Sequence, residues 1–538
     1  MNILKYSRIS IILAVMFITA SCSDFLQPDP YGAGTTGNFW KTEDDVKQAI
    51  NAFASRYAYW EGTAGRGIMW FENCSDNMVT GRNSSGGDAI KNFEMVAGND
   101  RDVKQLWPRM YQLIAMTNDV FRYVPGMNIS EALKSNALGQ AHFYRGFAYL
   151  WLSPYYGDNG TNGGIPIMTE NTPLDNLDQP RPASVLENYD MIIDDLYKAG
   201  DLLPLFSQLS SNDYGRPHKA AAWAFGARAA LYAAQYDAKY YDTVIDFCNK
   251  IMALTGEDKR ELFDDGSANP FAKLFTKENN FCKEYLFSIL GNEIEGPKFH
   301  GMSFQNGGFG YYNTWGYFQP TKELYDAFEP NDVRRESTIL SPGEEITFIG
   351  HKITWAVNPA NISSPTGMTF RKFMSIFEAA DCIGKDVSTN GDNQSNRLGQ
   401  VLIRYADVLL MKAEALIWKN GEGDAEAKAL LNQIRKRARI PENSTATKTE
   451  LKNQRRCELA FEFMPSRHLD LVRWGDAKET YASPLHGYQT TTDGKDITSK
   501  TVIQVWKARS YDPNKNHVFA IPADEISKSK NLKQNKGY

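Results

Sequence analysis

One stretch of the chain, from Phe304 to Tyr317, interleaves aromatic side chains with glycine and asparagine. This mixture suits ligand binding rather than bond cleavage, because exposed rings stack on apolar surfaces and amides hydrogen-bond polar groups. The pattern fits neither helical nor strand burial, and the glycines free the backbone. We predict ligand-binding residues at Phe309, Tyr311, Tyr312, Asn313 and Trp315. The alternative is that these rings only cover the scaffold as a satellite of its core.

A second segment, residues 60–100, combines tryptophan with amide, carboxylate and guanidinium side chains and is rich in Gly, Asn and Ser. Its candidate ligand-binding residues are Trp70, Asn73, Asp76, Arg82 and Asn83. The alternative, that these side chains are simply buried in the core, is stronger here than for residues 304–317, because Trp60 continues the apolar face of the preceding helix.

Catalytic motifs are missing from the chain. The seven histidines are scattered, and neither a nucleophile elbow, a phosphate-binding loop nor a dinucleotide-binding glycine pattern occurs. Carboxylates are plentiful, but nothing in the sequence marks one pair for glycoside hydrolysis, since their separation in space decides that mechanism. We therefore predict a protein that is not an enzyme, with a helical glycoside hydrolase as the less favoured alternative.

Charge and cysteine content narrow the possible partners further. The net charge is −5, and no run of Lys or Arg forms a basic stripe, so we expect no nucleic-acid partner. The cysteines are widely spaced without a C-x-x-C motif, which predicts neither a zinc site nor a disulfide framework. Asp264 and Asp265 suggest Ca²⁺, but their spacing is not that of a Ca²⁺ loop, so we predict no metal and no cofactor.

The N-terminus reads as an export signal. Lys5 and Arg8 precede an uncharged apolar stretch too short to span a bilayer, followed by a small-residue run before Cys22. We predict that residues 1–21 are a lipoprotein signal peptide and that Cys22 is lipidated. An ordinary signal peptide with an incidental cysteine is the alternative.

Helical periodicity dominates the rest of the chain. Apolar faces predict helices over 38–59, 103–124 and 131–152, the last ending at Ser153-Pro154. Two helical hairpins are predicted, over 219–234 with 240–254 and over 401–418 with 425–439, and one more pair over 448–464 with 467–478. Their length and their small residues resemble tetratricopeptide units, although the full repeat pattern is absent.

Long Gly-, Asn- and Pro-rich connections separate these helices, and they are predicted to carry function or short strands. We expect strands at 284–290, 345–351 and 517–521. The predicted architecture is mostly α: a tetratricopeptide-like scaffold of about four helix pairs, mainly 103–254 and 401–480, in a single domain over 22–538. The loop-rich ligand-binding part lies mainly in 60–100, 264–396 and 480–520.

Several blocks, in order along the chain, resemble the SusD/RagB family of nutrient-binding lipoproteins. They are C-S-D-F-L from Cys22, F-W-K-T-E-D-D from Phe39, R-Y-A-D-V-L-L-M-K-A-E-A from Arg404, E-L-A-F-E from Glu458, R-H-L-D-L-V-R-W-G from Arg467, F-A-I-P from Phe519, and Q-N-K-G-Y from Gln534. Any one block is weak, but together they are specific. In the block from Arg404, we predict that Asp407 and Glu414 pair with Arg455, Arg456, Arg467 or Arg473 in a buried network rather than an active site.

The resemblance implies an outer-membrane lipoprotein on the surface of a Gram-negative bacterium. Such proteins bind oligosaccharide without cleaving it and sit over a SusC-like TonB-dependent transporter. Sugar rings present apolar C–H faces, which exposed tryptophan and tyrosine can stack on. A peptide-binding receptor of the RagB type is the alternative that the same resemblance leaves open.

Overall fold

The computed structural model describes residues 39–58, 67–81, 85–95, 103–290, 297, 314–355, 364–374, 397–462, 466–489 and 500–538. The helices are α1 Glu43–Ala52, α2 Ala54–Tyr57, α3 Gly67–Glu72, α4 Ser85–Lys91, α5 Leu106–Tyr123, α6 Glu131–Tyr156, α7 Val185–Leu202, α8 Lys219–Ala233, α9 Tyr240–Met252, α10 Pro270–Leu274, α11 Lys322–Tyr325, α12 Val333–Thr338, α13 Tyr405–Asn420, α14 Ala425–Arg437, α15 Lys448–Leu459, α16 Arg467–Trp474, α17 Ala477–Tyr481 and α18 Ala523–Lys528.

The strands are short and pair two by two, always antiparallel, in the described ranges. They are β1 Met78–Thr80, β2 Tyr285–Ile289, β3 Phe318–Pro320, β4 Ile339–Leu340, β5 Glu345–Phe348, β6 His351–Thr354, β7 Thr369–Phe370, β8 Gln400–Arg404, β9 Leu485–Tyr488 and β10 Val502–Trp506. The pairs are β1 with β3, β2 with β8, β4 with β7, β5 with β6 and β9 with β10. Each pair joins loops rather than building a layer, so the fold is a helical scaffold, as predicted.

Consecutive helices from α5 to α9 pack against one another, and α13 packs on α9 and α14. Glycines let the helices approach closely. A Cβ atom at Gly226 of α8 would lie 2.5 Å from Cζ of Phe247 on α9, and one at Gly200 of α7 would lie 2.1 Å from Nε1 of Trp223 on α8. The small residues therefore fix the crossings of the helix pairs, as the sequence indicated.

Several predicted boundaries were wrong. Helix α6 continues through Pro154 to Tyr156, because a proline so near the end costs a single helical hydrogen bond. Residues 400–404 form β8 rather than the start of a helix, since β2 supplies a strand partner. Residues 517–521 form no strand.

Buried ion pairs lie at the centre of the scaffold. The Arg404 guanidinium is fully buried and donates to Glu284 (2.6 Å), Glu458 (2.6 Å) and Glu462 (2.7 Å). Burial alone would raise the pKa of the Glu458 carboxyl, but Arg437, Arg404 and Arg334 outweigh it and hold that pKa well below its usual range. This network joins β8, α14 and α15.

A second buried network confirms the pairing predicted for the block from Arg404. Asp407 accepts hydrogen bonds from Arg455 (2.6 Å) and also from Arg228 of α8 (2.5 Å), and Glu414 accepts from Arg473. Arg228 was missed because it lies 179 residues away in the sequence. Both networks are structural.

The last residues of the chain are bound into the interior. The Asn535 amide donates to the carbonyls of Tyr156 (3.1 Å) and Phe519 (2.7 Å) and accepts from Arg181 (2.6 Å). Gln534 bonds both backbone groups of Ile521. The C-terminal segment thereby joins the end of α6 to the segment before α18.

Candidate functional site

The two predicted ligand-binding loops meet in space, although more than 200 residues separate them. Strand β1, within residues 60–100, pairs with β3, which follows residues 304–317, and Thr80 lies opposite Phe318. Beyond the ladder, the Gly81 amide donates to the Tyr317 carbonyl (2.6 Å). One corner of the molecule therefore holds the described ends of both loops.

Trp315 is the predicted platform residue that the structure describes. Its side chain is half-buried and packs against the edge of the core, with its ring centroid 5.5 Å from that of Tyr317. A ring supported on one side and partly open on the other keeps its orientation and can still contact a ligand. The platform role of Trp315 stays a prediction.

Trp70 lies beneath this corner rather than on it. Only 1% of its surface is exposed, and its ring meets Tyr317 (6.0 Å) and Phe318 (5.4 Å) edge to face. Gly87 of α4 covers it so closely that a Cβ atom there would lie 1.9 Å from the Trp70 ring. Its burial argues against direct ligand contact and gives Trp70 a supporting role under Tyr317.

Asn73 and Asp76 are also buried among protein partners. The Asn73 amide donates to the Gly87 carbonyl (2.9 Å), and Asp76 accepts from Arg456 (2.9 Å) and Arg467 (3.0 Å). Burial would raise the pKa of the Asp76 carboxyl, but the two guanidinium groups hold it well below its usual range. The polar groups of Asn73 and Asp76 suggested ligand contacts, but they bond to the protein and hold the turn between α3 and β1.

The other predicted site residues lie outside the described ranges. They are Cys22, Arg82, Asn83, Phe309, Tyr311, Tyr312 and Asn313.

One aromatic residue of this region was missed in the sequence. Trp506, at the end of β10, is half-buried, donates its indole N–H to Asn92 (3.0 Å), and lies 5.5 Å from the Lys91 ammonium at the end of α4. The run V-I-Q-V-W from Val502 is rich in residues that favour strands and could have indicated this element.

A larger cavity lies elsewhere, between α5, residues 166–179 and α18, with a volume of about 620 Å³. Its walls are mostly apolar, and its tryptophan, Trp107, is only 3% exposed. The half-buried ring of Tyr111 also lines it, but the cavity contains none of the residues predicted from the sequence to bind ligand.

Metal-binding and membrane-spanning features are not found in the described ranges. No three His, Cys, Asp or Glu side chains cluster there, and Asp264 and Asp265 pair with Arg439 and Lys273. No helix of that part of the chain is long and apolar enough to cross a bilayer.

Glu72 connects the candidate site to the scaffold. Its carboxylate, 3% exposed, accepts from the Ser466 hydroxyl (2.8 Å) and the Arg467 backbone N–H (2.8 Å), and so caps the N-terminus of α16 from a different element. Burial raises the pKa of Glu72 to about 7 despite these hydrogen bonds.

This pKa predicts a pH dependence. Between about pH 4.5 and 7 the folded protein keeps a proton on Glu72 that the unfolded chain releases, so stability falls as pH rises through that window, by about 3 kcal/mol at most. Glu72→Gln keeps an acceptor oxygen and should flatten this part of the profile. Urea unfolding at pH 5 and pH 8 measures it, with exposed Glu257→Gln as the control. Equal pH slopes in Glu72→Gln and wild type would contradict the assignment.

A helical scaffold with short paired strands between its helices defines the fold class, and the comparisons place the chain within one family. The model of the SusD family matches residues 283–538, and a SusD-like model described as starch-binding, associating with outer membrane, matches residues 25–231. SusD-like protein P2 of Formosa agariphila is 25% identical over 99% of both chains. The chain belongs to the SusD-like family.

Solved structures share the fold. A SusD-like protein from Bacteroides fragilis superposes with a TM-score of 0.76 at 24% identity, over 96% of this chain and 99% of that one. A laminarin-binding SusD-like protein superposes with a TM-score of 0.71 at 22% identity, over 93% of this chain and 100% of that one.

Proposed function

We propose that this protein binds oligosaccharide at the surface of a Gram-negative bacterium without cleaving it. The observation that carries the proposal is the corner where both loops meet, with Trp315 half-open above a buried support. The laminarin-binding relative and the starch-binding description of the matching family model support carbohydrate as the ligand class. Apart from Glu72, which caps α16, the buried carboxylates described above are paired with arginine, which suits structural roles rather than acid–base chemistry.

Delivery to a transporter is the second part of the proposal. The protein would hand its oligosaccharide to a SusC-like TonB-dependent transporter in the outer membrane, to which Cys22 would anchor it through lipid. The SusD-like family and the description of association with the outer membrane support this.

Binding to a glycan array, compared with binding to a peptide mixture, tests the ligand class. Retention of peptides and of no glycan would favour a receptor of the RagB type. New reducing ends after incubation with oligosaccharides would instead indicate a hydrolase and overturn the non-catalytic proposal.

Cys22→Ala should release the protein from membranes. Each buried methylene of a lipid chain contributes about 0.8 kcal/mol, and two or more chains are needed for firm anchoring. Fractionation of cells lacking the transporter measures the effect, with Cys282→Ala as the control cysteine. A Cys22→Ala protein that still sediments with the outer membrane would contradict lipid anchoring.

A further inference from the structure

Three aromatic rings form a surface row away from the elements of the Trp315 corner. Phe206 and Tyr214, between α7 and α8, stack with centroids 5.0 Å apart, and Tyr214 lies 4.8 Å from Phe281, just before β2. Phe281 is 43% exposed, which is unusual for so large an apolar side chain, and the other two rings are half-buried. The row gives this side of the molecule an open apolar face.

A narrow cleft opens beside the row, and its lining includes two buried polar groups without hydrogen-bond partners. They are Nδ1 of His218, 3% exposed, and the hydroxyl of Ser288 on β2, 6% exposed; neither atom has a partner in the described part of the chain. Buried polar atoms are nearly always paired with protein, water or ligand. These two atoms can therefore pair with a water molecule or with a ligand group that enters the cleft.

The chemistry of the missing partner follows from His218. Burial, and then the nearby Arg260, lowers the pKa of His218 to about 3, so the ring is neutral. The neutral ring carries one N–H and one acceptor nitrogen, so Nδ1 can donate or accept a hydrogen bond. Ser288 can donate or accept. A hydroxyl group satisfies both atoms.

The free volume of the cleft and the charges around it are consistent with a hydroxyl group. About 20 Å³ is free inside, enough for one water molecule or one hydroxyl. Arg216, on the cleft wall, is already paired with Asp213 (2.7 Å). Arg260 lies over the Phe206 ring (5.0 Å), and because the His218 ring is uncharged, the polar contacts inside the cleft suit a neutral hydroxyl.

We propose that this cleft and the aromatic row form a second carbohydrate-binding site. A neutral sugar ring would lie against Phe281 and Tyr214 and insert one hydroxyl between His218 Nδ1 and Ser288 Oγ. The site shares no residue with the Trp315 corner, and it rests on the proposed function only for the class of its ligand. Two separated sites would let one protein hold a polysaccharide at two points, which raises the effective affinity for long chains.

Affinity electrophoresis through gels containing laminarin, starch or xylan tests the second site. Trp315→Ala should keep weak retardation in a gel that retards wild type, and adding Phe281→Ala with Ser288→Ala should weaken the remaining binding at least fivefold. As a control, adding Val502→Ala to Trp315→Ala truncates another exposed apolar side chain (49% exposed) and should leave the remaining binding unchanged. Ser288→Ala alone should not lower the melting temperature, because it removes an unpaired hydroxyl.

Each other outcome overturns the proposal in a distinguishable way. Loss of all retardation in Trp315→Ala, or equal retardation with and without the cleft substitutions, removes the second site and leaves the proposed function intact. No retardation of wild type in any gel contradicts both. A crystal soaked in laminarihexaose that shows one water between His218 and Ser288, and no sugar, assigns the cleft to structural water only.

Discussion

Arg404→Met should lower the free energy of unfolding by about 3–5 kcal/mol, the largest effect we expect from a single substitution in the scaffold. The change leaves Glu284, Glu458 and Glu462 buried without their shared cation, and breaking a buried pair by removing one partner costs that much. Urea unfolding at pH 7 measures it. Lys352→Met, which removes an exposed partner of Glu345, should leave the midpoint nearly unchanged.

The loss should also depend on pH. Without Arg404 the pKa of the Glu458 carboxyl rises in the folded state, so the variant gains stability relative to wild type as pH falls toward 5. A loss below 1 kcal/mol at pH 7, or one independent of pH, would show that water or Lys372 replaces the guanidinium.

Trp315→Ala should weaken glycan binding tenfold or more while the melting temperature changes little. Stacking contributes about 1 kcal/mol beyond burial of area, and the lost contact area adds to this. Trp70→Ala is the matched comparison, because the same truncation beneath the corner leaves a cavity and should cost about 3–5 kcal/mol of stability. Calorimetric titration with a glycan that binds wild type, together with melting curves of both variants, measures the two effects.

The opposite pattern would overturn the platform assignment. If Trp315→Ala melts much earlier and its folded fraction binds with unchanged affinity, Trp315 belongs to the core. Because stacking involves no titrating group, the wild-type affinity should also vary little between pH 6 and 8. A bell-shaped profile with turnover would indicate acid–base chemistry.

Local pattern predicted the scaffold well, and partners distant in sequence explain most of the errors. The faces of α5, α8 and α9 are periodic and could be located to within a few residues. Helix α7 received no prediction, although Ser184 and Glu187 form a capping box at its start. Strand β8 was assigned to a helix because its pairing with β2 involves residues more than 100 positions away.

The sequence predicted which residue types form the candidate site, but not how they are arranged in space. Trp70 and Trp315 both occur in loops rich in Gly and Asn, and the sequence of those loops does not indicate which of the two rings is buried. The answer depends on Gly87 and on the pairing of β1 with β3, which bury one ring and leave the other half-open. Likewise, Asp76 reads as a ligand-binding carboxylate until Arg456 and Arg467 are brought beside it.

The hydrogen bond from the Asn535 amide to the Tyr156 carbonyl affects how the chain folds while it is being synthesised. The two residues are 379 positions apart, so this contact closes only after residue 535 has been synthesised. Contacts of such long sequence separation form late, since their loop-closure entropy must be overcome first. A nascent chain therefore lacks this contact at the end of α6 until Asn535 has been added, which leaves incomplete chains more open to proteolysis than finished ones.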